Sequence, residues 1–135
     1  EIVFRNPRER TRLEGILHPL IGALRDDRVN RLEADETPMV VAEIPLLFET
    51  GLEEGYDIVV LVSAPREERL RRILEDRDLE PEIARGIMDS QMPDEEKSAR
   101  ADFVLDNGGD LQDLRIRALA LLDLLRARAR KRGGS

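Results

Sequence analysis

The residues best suited to hold a ligand are those of the sequence EIPLLFE at positions 43–49. An apolar run at residues 39–42 precedes them, and a carboxylate, Glu43 or Glu49, stands at each end. If a buried strand stops at Pro45, residues 46–49 lie at its carboxyl edge, where open α/β sheets bind ligands. Three large apolar residues in a surface turn are also expected to be buried by another part of the protein or by a ligand. The stretch is either a ligand-cradling turn or an ordinary connection with buried leucines.

A second candidate is the arginine-rich segment at residues 66–77. Guanidinium groups bind phosphate oxygens bidentately, and Arg69 and Arg72 share one helix face because they are three residues apart. The competing interpretation is a solvated helix stabilised by internal pairs such as Glu68 with Arg72. Spacing by itself favours this second interpretation.

The other candidate residues are more dispersed. His18 precedes Pro19, so its imidazole either faces a cleft at a helix break or caps a kink. Gln91, with the later charged residues Lys97, Arg100 and Asp102, could form the wall of a nucleotide site. Asn107 is followed by two glycines, which either hold a base through main-chain groups or form an ordinary turn.

Composition excludes several classes of function. The chain has 135 residues and a net charge of −7, which argues against a general nucleic-acid binder. With no Cys and one His, it has no disulfides and no thiolate or His-rich metal site. No run approaches the roughly 18 apolar residues of a membrane span. The composition predicts a cytoplasmic α/β protein with an aliphatic core.

Periodicity predicts alternating helices and strands in one domain spanning residues 1–135. Leucine and isoleucine at helical spacing predict a helix from Asn6 to about Glu33, kinked or divided at Pro19. Continuous apolar runs predict parallel strands. The predicted strands are 39–44, 57–63 and 103–105, and the later helices are 66–76, 80–91, a short one from 93, and 111–129.

Several phrases, in this order, resemble the dephospho-CoA kinase family. They cover roughly residues 3–114. The phrases are FRNP at 4–7, LE at 13–14, ILHP at 16–19, PLLFE at 45–49, DIVVLV at 57–62, Gln91 with EK at 96–97 and AD at 101–102, and DNGG at 106–109. One such phrase carries little information, whereas an ordered series is specific.

The resemblance implies a three-layer parallel sheet of the P-loop nucleoside monophosphate kinase type. It implies ATP-dependent phosphorylation of the 3′-hydroxyl of dephospho-CoA, the last step of coenzyme A biosynthesis, with ATP and Mg²⁺ in the complete enzyme. The implied dephospho-CoA-binding residues are His18, Pro19, Pro45, Leu46, Leu47, Phe48 and Glu49. The implied ATP-side and lid residues are Arg72, Arg77, Gln91, Arg100 and Asn107, with a helical lid at about 66–100.

The sequence departs from the family pattern in two ways. No G-x-x-x-x-G-K-[ST] occurs in it, so the fold is expected to be incomplete at the N-terminus and residues 1–135 inactive alone, with no catalytic residue assigned. Arg72 and Arg77 are five residues apart where the family spacing is four. Two alternatives stay open: a P-loop-less CoA- or nucleotide-binding module, and a monophosphate kinase with another acceptor. An exposed sheet edge also predicts self-association.

Overall fold

The computed structural model describes residues 6–35, 37–77 and 79–132. Within them the regular elements follow the predicted order, except that the first predicted strand is absent. They are helix α1 (Pro7–Ala34), a 3₁₀ turn (Glu53–Gly55), strand β1 (Val60–Ser63), helices α2 (Arg66–Arg77), α3 (Pro81–Asp89) and α4 (Asp94–Arg100), strand β2 (Phe103–Asp106) and helix α5 (Leu111–Arg132). The chain divides into two compact units, Glu1–Ala42 with Arg126–Ser135, and Glu43–Leu125.

Helix α1 occupies most of the described part of the first unit. Asn6 begins it, because its side-chain Oδ1 accepts the backbone N–H of Arg8 at 3.1 Å. Near the other end, Arg31 pairs with Asp27 one turn before it at 2.7 Å. The helix runs through Pro19, so the predicted division into two helices is wrong. A bend at Pro19 stays a prediction.

The second unit contains a parallel sheet of β1 and β2. The register pairs Val60 with Phe103 and ends with Ser63 opposite Asp106. Helix α4 contacts β1, and α2 packs against α3. A parallel sheet with helices on it confirms the predicted α/β class, because parallel strands require crossover connections.

The predicted strand at residues 39–44 is wrong for the described part of the chain. These residues carry no strand assignment, and the sheet there has two strands. The side chain of Val41 is 77% exposed, so the apolar run is not buried. A strand needs a neighbour for its backbone hydrogen bonds, and no described segment pairs with this run.

The buried core is small, and it matches the predicted aliphatic core only in part, since the part that the structure describes includes Phe48 and Met88 and no Leu or Ile. Its described members are Phe48, Val59, Ala64, Ala84 and Met88, all in the second unit. Among the described residues, no helix is both long and apolar enough to cross a bilayer.

Candidate functional site

The turn at residues 45–49, called here the 45–49 turn, is tightly folded. The N–H of Thr50 donates to the carbonyl of Leu46 at 3.0 Å, and the Thr50 hydroxyl donates to the same carbonyl at 2.8 Å. Leu46 has a φ of 60°, a left-handed conformation that is rare for leucine. Phe48 is buried, whereas Leu46 is 45% exposed. The turn therefore anchors one apolar side chain and displays another.

Glu49 joins this turn to the residues that follow α3. Its Oε1 accepts the backbone N–H of Met92 at 3.0 Å and pairs with Lys97 Nζ at 2.8 Å. Burial raises the pKa of Glu49, but the hydrogen bonds from Lys97 and Met92, with the charge of Lys97, outweigh burial and hold the pKa below its usual value. Glu49 is thus held as a carboxylate.

Arg100 makes a second connection to the same turn. Its guanidinium forms an ion pair with Glu53 and lies 5.6 Å from the ring centroid of Phe48. It also contacts the sulfur of Met92 at 3.6 Å. The structure therefore brings the 45–49 turn together with residues 91–100, called here the 91–100 segment, which includes the predicted Gln91 and Arg100.

Arg72 lies beside the loop at residues 107–109, called here the 107–109 loop. Its Nε donates to Glu68 at 2.7 Å, and its Nη2 approaches the carbonyl of Gly109 at 3.5 Å. The N–H of Asn107 donates to the carbonyl of Ser63 at 2.7 Å, which fixes the loop to the end of β1. The predicted Arg72 and Asn107 are thus on neighbouring elements.

A cavity of about 590 Å³ opens at the carboxyl ends of β1 and β2. Ser63, Arg66, Arg69, Gln91 and Asp94 are among its lining residues. Asp94 accepts hydrogen bonds from Ser63 Oγ and from Arg69 Nη1, both at 2.8 Å. The position of the cavity agrees with the general rule that ligands bind at the carboxyl edge of a parallel sheet.

The other predicted residues are His18, Pro19 and Arg77. His18 and Pro19 lie within α1, in the first compact unit, and His18 is exposed. The side chain of Arg77 lies outside what the structure describes.

Sequence reasoning missed Glu53 and Asp94. Glu53 begins the 3₁₀ turn and pairs with Arg100 far along the chain, so no local spacing indicated it. The pairing of Lys97 with Glu49 spans the sequence too widely for any local pattern to indicate it.

The described carboxylates form no ready-made metal cluster. Within the described ranges, no group of three or more His, Cys, Asp or Glu side chains is placed to hold a metal ion. In the cavity wall, Asp89 pairs with Arg66 and Asp94 with Arg69. We therefore assign no Mg²⁺ ligand to these residues.

Comparisons with known proteins identify the family. The family model described as dephospho-CoA kinase matches residues 1–113. A dephospho-CoA kinase of Syntrophotalea carbinolica is 42% identical over 120 residues, covering 89% of this chain and 57% of that protein. One from Rhodopseudomonas palustris is 38% identical over 130 residues, covering 96% of this chain and 65% of that protein.

Solved structures agree with the sequence relatives. A crystal structure of a Thermus thermophilus protein matches with a TM-score of 0.75 at 43% identity, over 92% of this chain and 63% of that one. A dephospho-CoA kinase from Campylobacter jejuni matches with a TM-score of 0.64 at 32% identity, over 93% and 62%. The chain spans 57% and 65% of the length of the two sequence relatives described above. The predicted P-loop kinase-like class and the resemblance are confirmed, and the chain belongs to the dephospho-CoA kinase family.

Proposed function

We propose that this chain supplies the acceptor-binding and lid parts of an enzyme that transfers the γ-phosphoryl group of ATP to the 3′-hydroxyl of dephospho-CoA. The observation that carries the proposal is the family match over residues 1–113. The clustering of the 45–49 turn with the 91–100 segment supports it, because two predicted parts of one site are in contact.

The proposed roles follow from what the side chains offer. Pro45, Leu46, Leu47, Phe48 and Glu49 contact dephospho-CoA, and Pro45 and Leu46 are the exposed apolar residues among them. His18 and Pro19 remain proposed contacts of the same substrate.

The proposed role of the lid arginines is to stabilise the negative charge of the transferred phosphoryl group. Phosphoryl transfer spreads negative charge over oxygens, and a closing basic lid stabilises that charge and excludes water. Arg72 and Arg100 each have an acidic partner, Glu68 and Glu53, and their side chains are 31% and 40% exposed. They can therefore offer further N–H groups to phosphate. Arg77 and Gln91 are proposed to act on the same side, and Asn107 near the adenine of ATP.

We propose that residues 1–135 by themselves turn over slowly or not at all. No G-x-x-x-x-G-K-[ST] occurs among them, and in P-loop enzymes this loop's N–H groups and lysine hold the β- and γ-phosphates. ATP and Mg²⁺ use is therefore proposed for the complete enzyme. The alternative favoured by the same observation is a CoA- or nucleotide-binding module without catalysis.

A product assay separates these functions. The polypeptide of residues 1–135 and the product of the whole reading frame that encodes it are each incubated with ATP, Mg²⁺ and dephospho-CoA, and CoA is quantified by mass spectrometry. CoA itself replaces dephospho-CoA as the matched control, with ADP formation followed in both reactions, since its 3′ position is already phosphorylated. We expect turnover from the whole product alone. Turnover by residues 1–135 would overturn their proposed inactivity, and saturable binding without turnover by either would favour the binding module.

The remaining predictions concern domain organisation, cellular location and self-association. We propose that it is one domain with a helical lid at about 66–100, that it is cytoplasmic, and that it self-associates. Exposed apolar side chains on the sheet, Val62 at 54% and Val104 at 51%, support self-association. A compact monomer at dilute concentration in analytical ultracentrifugation would contradict it.

A further inference from the structure

One of the contacts between the 45–49 turn and the 91–100 segment is a partly buried ion pair. Lys97 Nζ and Glu49 Oε1 are 2.8 Å apart, and the side chains are 12% and 18% exposed. Partly buried pairs are screened less than surface pairs, so salt weakens this contact less than it weakens the exposed ion pairs elsewhere on the chain. Breaking it leaves a charge in a poorly solvated place.

The same carboxylate also fixes the backbone. Glu49 Oε1 accepts the N–H of Met92, the residue directly after Gln91. Lys97 is one turn into α4, with its own N–H bonded to the carbonyl of Pro93 at 3.1 Å. A displacement of the Lys97 ammonium therefore changes the position of the carboxylate that holds Met92.

We propose that Lys97 is a positioning residue. It acts through Glu49 to keep the 45–49 turn in a fixed position relative to the 91–100 segment. This inference rests on the proposed function, since it deepens the role of those two groups. It assigns Lys97 no contact with substrate. Its consequence is that dephospho-CoA contacts and lid contacts are coupled in part through this ion pair.

The variants follow from the geometry. Lys97→Met keeps the aliphatic stem and removes the charge, Lys97→Arg keeps the charge, and Glu49→Gln keeps an acceptor for Met92. Val59→Ala is the control for plain destabilisation, because Val59 is a buried core residue with no proposed part in binding. All are made in the product of the whole reading frame.

Steady-state kinetics test the coupling. We expect Lys97→Met to lower kcat/KM for dephospho-CoA by about tenfold or more, since small misplacements of binding groups are costly. Lys97→Arg should keep most of the wild-type kcat/KM. The double variant Lys97→Met with Glu49→Gln should lose no more kcat/KM than the worse of the two single variants. Val59→Ala leaves KM unchanged. Additive losses in the double variant, or an unchanged kcat/KM in Lys97→Met, would overturn the proposal.

Hydrogen exchange keeps the inference separate from the proposed function. In Lys97→Met we expect faster exchange at the amides of Met92 and Thr50 than in wild type, with no such change in Val59→Ala. If this occurs while wild type makes no CoA, the coupling stands and the proposed function fails. If wild type makes CoA and these amides are unaffected, the coupling fails and the function stands.

Discussion

Asp102 and Val59 hold each other by two reciprocal hydrogen bonds. The Asp102 carboxylate accepts the N–H of Val59 at 2.8 Å, and the Asp102 N–H donates to the carbonyl of Val59 at 2.9 Å. Sequence reasoning placed Asp102 in a nucleotide-site wall, but this contact lies directly before the paired residues of β1 and β2. Its carboxylate aligns the two strands.

Replacing Asp102 therefore affects stability first. We expect Asp102→Ala to lower the free energy of unfolding by about 1–2 kcal/mol, because the Val59 N–H loses its charged acceptor. Asp102→Asn keeps an acceptor oxygen and retains most of the stability. Urea denaturation of both variants measures the difference. Equal stability of Asp102→Ala and wild type would show that water replaces the carboxylate at no cost.

The lowered pKa of Glu68 predicts that the folding stability of the protein depends on pH. Hydrogen bonds from Arg71 and then Arg72 lower its pKa from 4.5 to about 2. Because the folded pKa is below the unfolded one, the stabilisation is full above about pH 4.5 and is lost as pH falls toward 2. Glu68→Gln should therefore lose less stability than wild type between pH 5 and pH 2, as measured by denaturation at several pH values. Parallel pH curves for the two proteins would contradict the assignment.

Local patterns predicted the helices and the two paired strands well. The apolar and charged periodicity of α2 and the run before Ser63 depend on neighbours within a few residues, which the sequence displays directly. The run at residues 39–44 failed because a strand also depends on a hydrogen-bonding neighbour elsewhere in the chain. A continuous apolar run is the pattern of a buried strand, but it does not supply the partner.

The contacts among the candidate site residues could be predicted only in part, for the same reason. The sequence indicated the 45–49 turn, Arg100 and Arg72 as separate candidates. It did not indicate that Glu49 bonds Met92, 43 residues later, or that Lys97 shares the same oxygen. Nor did it indicate that Arg72 approaches Gly109, 37 residues away. These contacts depend on how α2 and α4 lie against the sheet, for which no spacing in the sequence is a signal.

Leu46 predicts a gain in stability from a substitution in the proposed site. Its φ of 60° costs a leucine about 1–2 kcal/mol relative to glycine, and its side chain is 45% exposed. We expect Leu46→Gly to be as stable as wild type or more so, yet to bind dephospho-CoA less tightly, as measured by denaturation and calorimetry. Leu52→Gly is the matched control, since Leu52 is 40% exposed with a φ of −88°, and it should destabilise.

The 107–109 loop gives a prediction for the ATP side. A Cβ at Gly108 would lie 2.8 Å from Pro65 Cδ, whereas one at Gly109 would lie 3.0 Å from the flexible Asp113 carboxylate. The carbonyl of Pro65 accepts the N–H of Arg69 in α2, so the ring cannot shift without moving the start of that helix. We expect Gly108→Ala to cost about 1–3 kcal/mol and to weaken ATP binding, and Gly109→Ala to cost less. Thermal unfolding and ATP titration of the whole product measure both effects, and a larger loss for Gly109→Ala would show that Pro65 yields more readily than Asp113.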